Sequence, residues 1–383
     1  MTQRIGIGVV GAGVIFQRHA EAYAELGDRA RLAGVSEIDE AKLRQAMSRY
    51  EVPFGCRDHR ELLEQDDVAV VTVCTPPSTH ESIVVDALEA GKFVICEKPL
   101  AHTLESADRI REVAARYPGK LSTTFQFRYL PDVQRTVWLR DHDRLGRLLF
   151  GRFSWYGRFQ KPGRPRMPWW GRWDVAGGGA VMTQLIHEID LMCHILGPPA
   201  EVLAFVDTLK EPIESEDACV AAIRFRNGAI ACSYSTMSAQ RFGHGFDVIG
   251  SLASVHHPWA VECMDESWRR QALDDVLAGY PLTLGEAPNP HVPYIAAVLD
   301  AIATGNPLPI GPEDSAATLE VCAGIYAAAL QGRPVSLPLD RTSSFCRGIA
   351  ASEYDSRNGR RVPTVSAGAT ADSPFESMRG VRS

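Results

Sequence analysis

Residues 68–74, Val-Ala-Val-Val-Thr-Val-Cys, show no alternation of polar and apolar side chains. A strand with one wet face repeats with a period of two, so this unbroken run reads as a strand covered by helices on both faces. Residues 5–10, 31–36, 93–97 and 121–125 are further strand-like runs with helix-like patterns between them. Strands alternating with helices imply βαβ units, an α/β class and a doubly wound parallel sheet of Rossmann type, whose ligands sit at the carboxyl ends of the strands.

The pattern changes after about residue 125. Residues 217–225 and 229–235 alternate small or apolar with polar side chains, and Asn227-Gly228 between them is a strong hairpin signal. Helices are expected at 179–196, 293–303 and 312–330, each ending near glycine. The second part is therefore α+β with a large, mostly antiparallel open sheet. At 383 residues the chain should hold more than one domain. The expected division is 1–124 for a dinucleotide-binding domain, 125–340 for a substrate-binding and oligomerising domain, and 341–383 for a polar tail or arm.

Composition removes several classes of function. Forty basic residues against 47 acidic ones give a net charge of −7, which argues against a nucleic-acid binder. No apolar run reaches the roughly 18 residues of a membrane span and no secretion-signal layout opens the chain, so a cytoplasmic location is expected. The nine cysteines form no C-x-x-C pair and read as reduced core residues.

The first chemistry lies at the amino terminus. Gly6, Gly8 and Gly11 spell a G-x-G-x-x-G, but that register leaves too short a strand before it. With residues 5–10 as the strand, Gly11-Ala12-Gly13 makes the tight turn, and amides around Val14 and Ile15 face a pyrophosphate. Phe16 then holds the third glycine position. Glu37, just past the second strand, suits the adenosine ribose hydroxyls and repels a 2′-phosphate, favouring NAD over NADP; a solvated loop residue is the competing reading.

Thr75-Pro76-Pro77 with His80, Glu97-Lys98-Pro99, and Gly177-Gly178-Gly179 through His187 and Asp190 to Gly197, taken with Gly11-Ala12-Gly13 and His19, resemble the glucose-fructose oxidoreductase / inositol dehydrogenase family, Gfo/Idh/MocA. The likeness runs from about residue 4 to residue 339. It implies an NAD(P)-dependent dehydrogenase acting on a secondary hydroxyl of a sugar, sugar derivative or cyclitol, assembled as a dimer or tetramer. It also implies that Thr75, Pro76, Pro77, His80 and Glu97 line the cofactor and that Lys98 lies beside the nicotinamide and the reacting hydroxyl. The residues agree on Lys98, because an ammonium at the end of a buried parallel strand can hydrogen-bond a substrate oxygen. A partner for Glu97 is its bland alternative.

His187 is the expected general base, its neutral imidazole titrating near the working pH. Thr183, four residues earlier, stands where many relatives carry aspartate; with Gln184 it is expected to contact substrate, while the missing charge leaves His187 less basic. Arg128 is expected at the nicotinamide or substrate by resemblance, His291 at the pocket, and Trp170 and Arg172 in a basic, tryptophan-rich loop at 161–173 that could hold a sugar face. His187, Asp190 and His194 share a helix face, yet form no recognisable metal-ligand set, and no metal is expected. The competing class is a dinucleotide-sensing protein without turnover.

Overall fold

The computed structural model describes residues 4–158, 167–263, 267–280 and 288–358. Its first part alternates strands β1 (Ile5–Val10), β2 (Ala30–Ser36), β3 (Phe54–Cys56), β4 (Val70–Val73), β5 (Phe93–Cys96) and β6 (Leu121–Thr123) with helices. These are α1 (Val14–Glu25), α2 (Glu40–Tyr50), α3 (His59–Leu63), α4 (His80–Glu89) and α5 (Leu104–Ala114). The six strands are parallel, in the order β3-β2-β1-β4-β5-β6. The order in which successive strands are added reverses between β1 and β4, which opens a crevice at their carboxyl ends.

Val70, Val71 and Val73 are wholly buried, as a strand between two helical layers requires. Burying each such side chain contributes about 1.5–3 kcal/mol before chain entropy is counted. Gly6 and Gly8 lie inside β1, where packing demands them. A Cβ on Gly6 would meet the Asp67 carbonyl oxygen at 1.7 Å, and one on Gly8 would meet Val68 Cγ1 at 2.8 Å.

The second part contains α6 (Pro131–Asp141), β7 (Leu148–Arg158), α7 (Trp173–Ala176), a π-helical turn at Val181–Leu185, and α8 (Ile186–Leu196). Then come β8 (Pro199–Asp207), β9 (Ala218–Phe225), β10 (Ile230–Thr236), β11 (Ser238–Gly250), β12 (Ala253–His256) and β13 (Ala260–Cys263). α9 (Ser267–Ala278), α10 (His291–Thr304), α11 (Pro312–Gln331), β14 (Val335–Ser336) and α12 (Ala351–Asn358) complete it. The eight strands order as β13-β12-β11-β7-β10-β9-β8-β14, antiparallel except for β7 with β10. The expected hairpin is present: Asn227 Oδ1 accepts from the Ala229 amide at 3.0 Å, and Gly228 takes φ +87°.

One face of this sheet packs on helices, and the other leaves Leu203, Phe205, Val220 and Ile230 exposed on neighbouring strands. The late helices tie the two sheets together. α10 packs on α1, and α11 packs on α5, α8 and β8. The Tyr294 hydroxyl lies 2.7 Å from Ser122 Oγ, and the Thr123 amide donates to the Ile310 carbonyl at 3.0 Å.

Beyond residue 340 the described chain packs on its own body. Arg341 pairs with Asp108 at 2.8 Å and Glu320 at 2.7 Å, and Phe345, Cys346 and Tyr354 are buried. No described cysteine is in a disulfide, and no described helix is long and apolar enough to cross a membrane.

Candidate active site

The crevice begins at the turn after β1. Gly11 adopts φ +95°, and a Cβ there would lie 2.8 Å from the Cys74 carbonyl oxygen, so close approach of the β1 and β4 ends demands glycine. Gly13 caps α1 without a side-chain hydrogen bond, and the space beside its Cα is open. Val14 and Ile15 follow, with Val14 left exposed. Uncapped amides at the start of a 12-residue helix, with open space before them, fit a dinucleotide pyrophosphate. Phe16, at the third glycine position, is buried in α1 and packs edge to face on Tyr50 at 5.2 Å. Glu37 Oε2 accepts from the Ala12 amide at 2.7 Å, which fixes its carboxylate beside the turn.

At the other end of the crevice, β5 delivers Lys98. Its ammonium donates to the Thr183 carbonyl at 2.6 Å, so the strand end is tied to the π-helical turn that precedes His187. Burial pulls the ammonium down to about 8, against the opposing charge of Glu97. The Lys98-Pro99 peptide is cis. The His187 ring stacks on Phe127 at 4.5 Å and meets Phe125 edge-on at 6.3 Å. Its Nδ1 is buried with no partner among the described residues. Burial, then the charge of Lys98, push His187 well below the ordinary imidazole range, so it is neutral at neutral pH.

Two expected cofactor contacts turn inward. Glu97 is buried, with Oε1 2.7 Å from His19 Nε2 and 3.8 Å from His291 Nε2. His80 is also buried, with Nδ1 2.9 Å from the Pro99 carbonyl and Nε2 2.9 Å from the Thr75 carbonyl. It straps the two loops together, and its ring nitrogens face backbone where a cofactor contact was expected. Thr75 and Pro76 are half-buried on the same turn, and Pro77 is buried.

One residue that shapes the site gave no signal in the sequence. Glu216 accepts from the amides of Gly179 at 3.0 Å and Val181 at 2.9 Å and from the Tyr326 hydroxyl at 2.9 Å. It thereby holds the start of the helical segment that carries Thr183 and His187. Burial raises its carboxyl to about 7 against those hydrogen bonds. A Cβ on Gly179 would lie 1.8 Å from the Glu216 carbonyl oxygen, which explains the last glycine of the triplet. In sequence Glu216 sits in Glu214-Ser215-Glu216-Asp217, which reads as a solvated acidic loop.

Comparisons with known proteins identify the family. Residues 5–125 match the oxidoreductase family with an NAD-binding Rossmann fold, and residues 134–256 match the GFO/IDH/MocA C-terminal domain. The chain belongs to this oxidoreductase family. Levoglucosan dehydrogenase of Pseudarthrobacter phenanthrenivorans is 25% identical over 66% of the chain and 73% of its own length. Myo-inositol 2-dehydrogenase of Thermotoga maritima is 27% identical over 65% of the chain and 74% of its own length. A solved levoglucosan dehydrogenase in complex with NADH superposes with a TM-score of 0.78 at 23% identity, covering 88% of this chain and 100% of that one.

Several expected contacts of this Gfo/Idh/MocA oxidoreductase lie elsewhere. The Arg128 guanidinium, expected at nicotinamide or substrate, is buried in a two-pronged pair with Asp190 at 2.7 and 2.8 Å and reaches Asp314 at 3.4 Å. Its charge is met inside the protein. The same pair engages the Asp190 carboxylate inside the protein. Arg172 pairs with Asp174 on the surface at 2.6 Å, and Trp170 packs partly buried against the core. Lys161 and the rest of 159–166 lie outside the described residues. Gln184 is half-buried on the π turn, and the Thr183 hydroxyl donates back to the Gly179 carbonyl at 2.7 Å. His291, expected at the pocket, is buried with its Nε2 3.8 Å from Glu97 Oε1.

Proposed function

We propose that the chain oxidises a secondary hydroxyl of a sugar, sugar derivative or cyclitol with NAD, and that Lys98 and His187 handle the reacting oxygen. One observation carries this reading: an ammonium at a parallel-strand end is tied at 2.6 Å to the turn leading into a neutral, buried imidazole. Relatives named for levoglucosan and myo-inositol support the substrate class. Lys98 hydrogen-bonds the hydroxyl oxygen and stabilises the alkoxide that forms. His187 takes the hydroxyl proton as the carbon–oxygen double bond forms. NAD, when bound, supplies the acceptor for the hydride leaving the same carbon. With Thr183 in place of a carboxylate, that position adds no charge to raise the basicity of His187; the charge of Glu97 raises it, by less than burial and Lys98 lower it. The test is a screen of sugars and cyclitols with NAD and NADP. Reduction of the coenzyme by one of them is expected, and a chain that binds NADH but turns over none of them is a sensor instead.

Glu37 accounts for the coenzyme preference. Removing its carboxylate in Glu37→Ala is expected to narrow the ratio of NAD to NADP affinity about tenfold, because a 2′-phosphate no longer meets a fixed anion. Titration of both coenzymes reads this, and an unchanged ratio refutes it.

We also read the chain as a cytoplasmic homo-oligomer divided at about residues 124 and 340. The apolar stripe of Leu203, Phe205, Val220 and Ile230 is the face a second copy would cover. Phe205→Asp is expected to shift the protein toward monomer in sedimentation. Sedimentation identical to the parent's argues that the stripe lies outside the interface.

A further inference from the structure

Behind Lys98, histidines from two distant helices converge on one carboxylate. His19 comes from α1, His291 opens α10, and Glu97 follows β5; all three are buried. The two rings meet edge to face at 4.8 Å. Two imidazoles and a carboxylate are the composition of a metal site, and the spacing decides against one. An ion bound at about 2.1 Å in a tetrahedral site keeps its ligand atoms roughly 3.4 Å apart. His19 Nε2 and Glu97 Oε1 are 2.7 Å apart, the length of a hydrogen bond in which the ring N–H donates.

Asn289 sets the orientation of the second ring. Its Nδ2 donates to the Arg18 carbonyl at 2.8 Å, which turns Oδ1 toward His291. That oxygen accepts from the His291 amide at 3.1 Å and from Nδ1 at 3.0 Å. His291 Nε2 is therefore the atom that faces Glu97, at 3.8 Å, and it makes no hydrogen bond among the described residues. On its other oxygen, Glu97 accepts from the Lys98 amide at 3.2 Å. The carboxylate is thus clamped one residue from an ammonium whose protein partner is the neutral Thr183 carbonyl.

We infer that Glu97 is a positioning residue for the proposed reaction: held by His19 and faced by His291, its fixed negative charge keeps the half-buried Lys98 protonated. Other titratable groups face the pair from every side: Cys74 after β4, His80 on α4, Cys96 on β5 and His187 on α8. Burial keeps both thiols protonated and drives His80, His187 and His291 toward their neutral forms. Burial also opposes charge on Glu97, but His19 and then His291 outweigh it and hold the carboxyl well below its ordinary range. Glu97 is therefore the anion of the set. Lys98 needs one: an amine that has lost its proton cannot stabilise an alkoxide.

The inference rests on the proposed role of Lys98 only for its consequence, because its test needs no substrate. The full chain is labelled with trace acetic anhydride across a pH series, and acetylation of Lys98 is followed by mass spectrometry. Half-maximal labelling of the parent is expected near pH 8. In Glu97→Gln the midpoint falls by about one unit, giving about tenfold more labelling near neutral pH, while NADH affinity changes by less than about threefold. Glu97→Asp keeps the charge and most of the parent midpoint. An unchanged midpoint in Glu97→Gln overturns the inference. If that variant does not fold, the parent decides, because a midpoint below about 7 means that no anion sustains the ammonium. A failed sugar screen leaves this result intact, and an unchanged midpoint leaves the dehydrogenase reading intact.

Discussion

Lys98→Met and His187→Gln each lower turnover about 10²–10⁴-fold on the substrate the screen identifies, while NADH affinity stays within about threefold of the parent. The two losses should differ in kind. Without Lys98, the developing alkoxide loses the donor that stabilises it, and the site keeps its neutral base. Without His187, the proton has no acceptor inside the site, and added small bases such as imidazole are expected to restore part of the rate. The two side chains act on one oxygen, so the double variant should be little worse than the poorer single one. Steady-state kinetics with parallel NADH titrations check this. Near-parent turnover in either variant removes that residue from the chemistry, and strictly multiplicative losses argue against a shared oxygen.

The largest effect on stability is expected from Asp190→Ala. Asp190 is fully enclosed, and burial raises its carboxyl while the two-pronged contact with Arg128 opposes that rise. Deleting it strands a guanidinium that is itself buried and left with only a 3.4 Å contact to Asp314. The expected cost is about 3–5 kcal/mol, a large fraction of the stability of a typical domain. The pair Arg128→Met with Asp190→Leu should recover most of it, because the penalty comes from the orphaned charge. Urea unfolding of the two variants beside the parent measures this. A loss below about 1 kcal/mol in Asp190→Ala shows that the pair is not buried in solution as it is here.

The same pair shows where reading a sequence stops. Arg128 was expected at the nicotinamide or substrate by resemblance to the family. Its true partner lies 62 residues away, on a helix face known only once the helices are packed. Glu216 was invisible for the same reason, since its partners are amides 35 and 37 residues upstream. Residues 68–74 were legible because burial on both faces erases alternation, which is a local property. The β9–β10 hairpin was legible because Asn227-Gly228 dictates its turn locally. β11 was not: Gln240, Arg241, Gly243 and Gly245 lie within it, and its pairing with β7 holds it. The three-residue β3 is too short to carry a period. Lys98 was singled out by the family resemblance, and the carboxyl end of a buried parallel strand, where doubly wound sheets place ligands, supported that reading.

The central claim is that the crevice at the ends of β1, β4 and β5 holds a nicotinamide dinucleotide with its redox ring at Lys98 and His187. A crystal structure of the chain with NADH tests it most directly. The predicted result has the pyrophosphate over the Gly11–Gly13 turn, the adenosine ribose at Glu37, and the nicotinamide between the Lys98 ammonium and the His187 ring. A dinucleotide lying elsewhere, or a nicotinamide out of reach of both side chains, would contradict it.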